Sequence, residues 1–157
     1  MAAQLHYLTV QDILWINLQV TDKVHRFSFA KLEEATYYQY AYGESRSVIP
    51  QAARFLVGFP KLHPLESGND ATTFVACLSF LKINGLTIEL QDTLATAWYE
   101  SVQSRSVEVL EAVKSIAKPI LDHHHAPKGD IRQTVKDVIS QFPCTLLALG
   151  SESAVSP

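Results

Sequence analysis

Basic runs are missing from this chain. Its 13 Lys and Arg residues are outnumbered by 16 Asp and Glu, giving a net charge of −3 and a pI near 6.0. Without a cluster of Lys and Arg there is no electrostatic footprint for phosphate backbones, so direct binding of DNA or RNA is not expected. Apolar runs of membrane-spanning length are also absent, and the N-terminal MAAQLHYLTV has no charged segment leading into a long apolar one. A cytoplasmic protein that does not engage a membrane is expected. The cysteines number two, Cys77 and Cys144, with neither the spacing of a metal knuckle nor the density of a disulfide frame. Both are expected to be reduced core residues. There is no internal repeat.

What is present is apolar periodicity. With 157 residues and 47% hydrophobic side chains, the chain is long enough for one domain with its own core. Residues 1–150 are assigned to that domain and the small, polar 151–157 to a disordered tail. Thr9 with Asp12 forms a capping box ahead of Ile13, Ile16, Val20 and Val24, so a first helix is expected to end near Lys23. LEEATYYQY is expected to be a short helix closed by Gly43, its tyrosines 37, 38, 40 and 42 lining the edge of the core. Ser47 is expected to cap a helix with Ile49, Ala52, Ala53, Leu56 and Phe59 inward, closed by Pro60.

Ala71 to Ile83 has apolar residues on every side and stops at Asn84-Gly85, the pattern of a helix at the centre of a bundle. The extended or helical piece LTIEL follows. Asp92 to Val102 places Leu94, Ala97, Trp98 and Val102 on one face, and Ser106 is a candidate cap for a helix with Val109, Leu110, Val113, Ile116 and Ala117, ending before Pro119. Asp130 with Gln133 reads as a capping box for a last amphipathic helix through Val135, Val138 and Phe142, ended by Pro143. CTLLAL then packs as a short extended tail or helical turn. The expected fold class is all-α, a bundle of about six to seven helices.

The loop before the central helix, HPLESGND, holds the candidate site. It lies at a helix N-terminus, where unpaired N–H groups and the positive end of the dipole suit an anion. Its residues resemble the Fic/Doc signature, which runs His, any residue, Phe, any residue, an acid, Gly or Ala, Asn, Lys or Gly, then Arg. Here His63, Gly68 and Asn69 match. Leu65 stands for the Phe, Ser67 for the acid, Asp70 for the Lys or Gly, and Ala71 for the Arg. CLSFLKINGL is similar to the helix that follows in Doc, and the segments from LEEATYYQYAYGE through VIPQAARFLVGFPKLHP keep the family's order, so the resemblance covers about Tyr7 to Leu90.

The resemblance implies a Fic/Doc-like helical bundle and chemistry in which a nucleotide modifies a protein hydroxyl, by AMP transfer in most Fic proteins and phosphate transfer in Doc. It makes His63 the catalytic base and Gly68 and Asn69 the nucleotide-binding residues. The family's metal-binding acid and phosphate-binding Arg are replaced here by Ser67 and Ala71, which can do neither job, and Asp70 puts negative charge where phosphate would sit. Three readings follow. The first is a non-catalytic protein-binding or regulatory module, in a toxin–antitoxin-like setting, with an antitoxin-like protein or a target as partner and no cofactor. The second is an active transferase using ATP and Mg²⁺, with Glu66 and Asp70 as displaced ligands. The third is a helical adaptor without inherited chemistry. No metal ligand is assigned: His123, His124 and His125 are adjacent on a Pro- and Gly-containing loop, a geometry that rarely converges on one ion.

Overall fold

A computed structural model describes residues 5–39, 47–119 and 130–155. The described part is helical throughout, apart from one short ribbon. In chain order the elements are α1 Val10–Thr21, α2 Phe29–Tyr37, α3 Val48–Leu62, α4 Asn69–Ile83, β1 Leu86–Ile88, α5 Asp92–Gln103, α6 Val109–Ile116, β2 Ala117–Pro119, α7 Ile131–Gln141 and α8 Pro143–Val155. The histidine run, Tyr40 and Tyr42 lie outside the described residues. No helix among the described residues is long and apolar enough to cross a membrane.

α4 is the axis of the bundle, as its all-round apolar sequence requires. Of its residues only Asp70 and Lys82 escape full burial. It packs against α1, α3, α7, α8 and β1. Phe74 is an aromatic hub, meeting the edges of Trp98, Tyr99 and Phe142 at centroid distances of 6.4, 6.2 and 5.2 Å. Burial pushes the Cys77 thiol up to about 12, so this cysteine behaves as a small hydrophobe. Cys144 is exposed, against the expectation of a core residue.

Where the local sequence carries a complete signal, the structure follows it. The Thr9 side chain accepts from Asp12 N while the Asp12 carboxylate accepts from Thr9 N, a full capping box. Where several local signals compete, tertiary packing overrides them. Ser47 occupies the N-cap of α3 without a side-chain cap bond, and Pro60 sits inside the last turn, so the helix continues to Leu62. In α5 the buried face is Ala95, Tyr99 and Val102; Val102 is inward as expected and Trp98 is half-buried against the core, but Ala97 is exposed and Leu94 58% exposed. Glu108, not Ser106, caps α6, its carboxylate accepting from Leu110 N and Glu111 N. Asp130 caps α7 through Gln133 N, but the Gln133 side chain turns to Asp137, so only half of the box forms.

Ala117 leaves the helix to start β2, which pairs antiparallel with β1 in the register Leu86–Pro119, Thr87–Lys118, Ile88–Ala117. Pro119, the expected helix stop, stands at the end of this strand, where the extended backbone that it imposes on Lys118 fits. The CTLLAL segment lies in an eighth helix, traced to Val155 and so into the stretch expected to be disordered.

α8 starts without a local cap because α5 supplies one. The Asp92 carboxylate accepts from Cys144 N at 2.9 Å, Thr145 N at 2.9 Å and Thr145 Oγ1 at 2.8 Å. Burial opposes the charged form, but these donors outweigh it and hold the Asp92 carboxyl below its ordinary value. Asp92→Ala is therefore expected to cost about 1–2 kcal/mol, the range of a lost cap. Because the folded value lies below the unfolded value of about 3.9, this contribution is present above that pH and is lost as pH falls through the folded value. Urea melts should show a larger penalty for the variant at pH 7 than at pH 3.

Candidate functional site

The loop between α3 and α4 is fastened at both ends by amide side chains. Asn69, the first residue of α4, is 5% exposed and reaches back over the loop. Its Oδ1 accepts from Leu65 N at 3.0 Å and its Nδ2 donates to Leu65 O at 2.7 Å. The amide thus pairs with one residue's main chain as a neighbouring strand would. The same device recurs twice. Gln39 clasps both main-chain groups of Leu8, and Asn84 those of His6.

Behind the loop, Asn17 of α1 is buried and donates to Ser67 O at 2.9 Å and Thr72 Oγ1 at 3.1 Å. Gly68 fits there because φ is +78° and because a Cβ would lie 2.4 Å from Thr21 Cγ2. In front, Leu65 is buried and forms an isolated antiparallel bridge with Phe27, with Ser28 N donating to Pro64 O and Glu66 N to Arg26 O. The residues from 25 to 28, which carry no period in the sequence, thereby lie alongside the loop, joined to it by this one bridge.

The candidate site residues fall as follows. His63 is exposed, in the left-handed region at φ 49°, and forms the C-cap of α3. Its Nδ1 is 3.3 Å from Asn69 Nδ2. Leu65 fixes the amide with Nδ2 as its donor end, so the tautomer that carries its proton on Nε2 lets Nδ1 accept from Asn69. Gly68 and Asn69 stand at the N-terminus of α4 as expected; the Asn69 amide closes the loop on Leu65, and Gly68 O accepts from Thr72 N in the first turn.

The two carboxylates considered as displaced metal ligands have partners of their own. Glu66 Oε1 accepts from Arg26 N at 3.1 Å and lies 3.6 Å from His25 Nδ1. The Arg26 main-chain N–H, with His25 beside it, holds the Glu66 carboxyl below the ordinary range. Asp70 Oδ1 accepts from the Tyr99 hydroxyl at 2.6 Å. Burial, then the charge on Asp70, pushes the Tyr99 phenol up and keeps it a donor. Ala71, at the position of the family's Arg, is 2% exposed. Among the described residues no three His, Cys, Asp or Glu side chains are grouped as metal ligands would be.

A cavity of about 300 Å³ opens beside the start of α4, lined by Val20, Lys23, His25, Ser67, Ala71 and Gly150 among others. Lys23 brings a cation to it; His63 is not among its lining residues. Asn17, Tyr99 and His25 are the residues of this region that the sequence reading missed. Only Asn17 left a trace, as a polar residue within the Ile13, Ile16, Val20 stripe. No protein-family model, curated protein or solved structure matches this chain.

Proposed function

We propose that this protein is a non-catalytic Fic/Doc-like helical domain that acts as a protein-binding or regulatory module. The observation that carries the reading is the commitment of the loop's polar groups to the fold. Asn69 closes on Leu65, Asn17 holds Ser67, Glu66 faces Arg26, and Asp70 is held by Tyr99. Phosphoryl and nucleotidyl transfer depend on preorganised cations and a metal held at the transferring phosphate. A loop whose carboxylates point at two different partners has no such pair to offer.

A binding role draws support from the neighbouring surface. Val24 is 86% exposed, Phe29 60% and Phe27 43%, on the stretch whose backbone joins the loop. Apolar side chains grouped at a rigid edge suit a protein partner, an antitoxin-like protein or a target.

The second reading, an active transferase using ATP and Mg²⁺, is favoured by one observation: Lys23 and His25 line the cavity at the start of α4. Calorimetric titration of the full chain with ATP and Mg²⁺ separates the two. The expected result is no saturable binding in the micromolar range and no labelling of the protein or of a lysate by ATP carrying an α- or γ-phosphate label. Micromolar, Mg²⁺-dependent binding with label transfer abolished in His63→Ala would replace the first reading with the second, since a base acts in the chemical step.

A further inference from the structure

One face of α3 is left open by the bundle. Pro50, Arg54, Val57, Gly58 and Lys61 fall on that face at helical spacing, and opposite them stand Arg105 and the first turn of α6 with Leu110. Between them runs a groove of about 430 Å³, within the size range of small-molecule sites. The Tyr38 ring forms one wall, lying so flat on α3 that a Cβ at Gly58 would be 2.7 Å from Tyr38 Cγ.

The groove is polarised along its length. From Pro50 to Lys61 the helix rises about 16 Å at 1.5 Å per residue. Toward Pro50 the lining is apolar apart from Arg54, and at the far end Lys61 and Arg105 also line an adjoining polar recess of about 270 Å³. Among the described residues no carboxylate lines either space, and neither Lys61 nor Arg105 is paired with one. Arg54 shares the face but has interactions of its own, leaving the head-group role to the other two. Arg105 is held at φ 63°, a left-handed conformation that costs a non-glycine residue energy.

We propose that this groove binds an aliphatic carboxylate amphiphile, its chain along the α3 face against Tyr38 and Leu110 and its head group between Lys61 and Arg105. Largely apolar lining with two cations at one end that pair with no carboxylate among the described residues is the complement of such a molecule, and fits neither a sugar nor a cation. The site shares no lining residue with the α3–α4 loop and stands apart from the function proposed for it.

Octanoate is the probe, with 1-octanol as its uncharged counterpart and the full chain as receptor. Calorimetry should give one saturable octanoate site with Kd of about a millimolar or tighter, and octanol at least tenfold weaker. Amide shifts in nuclear magnetic resonance spectra should centre on 54–61 and 105–110. Lys61→Gln with Arg105→Gly should bring octanoate down to the octanol level and leave octanol unchanged. Both sites are exposed and Gly suits the backbone at 105, so this variant should fold, as circular dichroism will check. Val57→Trp should remove both ligands by filling the groove. Failure of octanoate to saturate the folded wild-type chain would overturn the proposal, as would undiminished affinity in the double variant. Flotation with phosphatidylglycerol vesicles that depends on Lys61 and Arg105, without octanoate binding, would also overturn it in favour of a lipid surface.

Discussion

Leu78→Ala is expected to lower the free energy of unfolding by about 2–5 kcal/mol, the range for deleting a buried leucine from a packed core. Leu78 is fully buried at the midpoint of α4, the helix packed on every side by neighbours. Those neighbours belong to different helices and cannot all close on the space left behind, which places the loss in the upper part of that range. Urea denaturation followed by far-ultraviolet circular dichroism measures it. A loss below 1 kcal/mol would mean that α4 is not the axis of the bundle. Phe74→Leu should be milder per atom removed, since it costs three edge contacts but leaves an apolar side chain in the space.

Asn69→Ala is expected to cost about 2–4 kcal/mol through a different mechanism. The substitution strands the N–H and C=O of Leu65, both buried, and each stranded group costs about 1–3 kcal/mol. His63→Ala is the control, since an exposed side chain with one long contact should change stability by no more than about 0.5 kcal/mol. If Asn69 served a nucleotide rather than the fold, the order would not hold. Equal, small losses for the two variants would show that the clasp contributes little, and would reopen the loop as a ligand site. Hydrogen exchange at Leu65 gives an independent reading, because the amide should lose protection only in the Asn69 variant.

α4 was legible from its sequence because the run from Ala71 to Ile83 has apolar residues on every side and stops at Asn84-Gly85. The Thr9–Asp12 cap was legible because both of its hydrogen bonds close within three residues. For α5 the sequence pattern puts Leu94, Ala97, Trp98 and Val102 on the inner face, whereas the structure buries Ala95, Tyr99 and Val102. Tyr99 faces inward where α4 supplies partners for both ends of its side chain, Phe74 for the ring and Asp70 for the hydroxyl. Likewise the α8 N-terminus shows no cap in its own sequence, since the capping carboxylate comes from Asp92, 52 residues earlier than Cys144.

The same division runs through the candidate site. Sequence alone determined that a His, a Gly and an Asn stand ahead of a buried helix, that Ser67 and Ala71 supply neither a carboxylate for a metal nor a guanidinium for a phosphate, and that the chain is all-α. These properties depend on residue type and local periodicity, which survive without a partner. Only the tertiary structure decided what the polar atoms bond to: Asn69 to Leu65, Asn17 to Ser67, Glu66 to Arg26, Asp70 to Tyr99. Apart from the first, each of these joins residues far apart in the chain. A buried polar group must find a partner, but which one it finds depends on the helices that close over it.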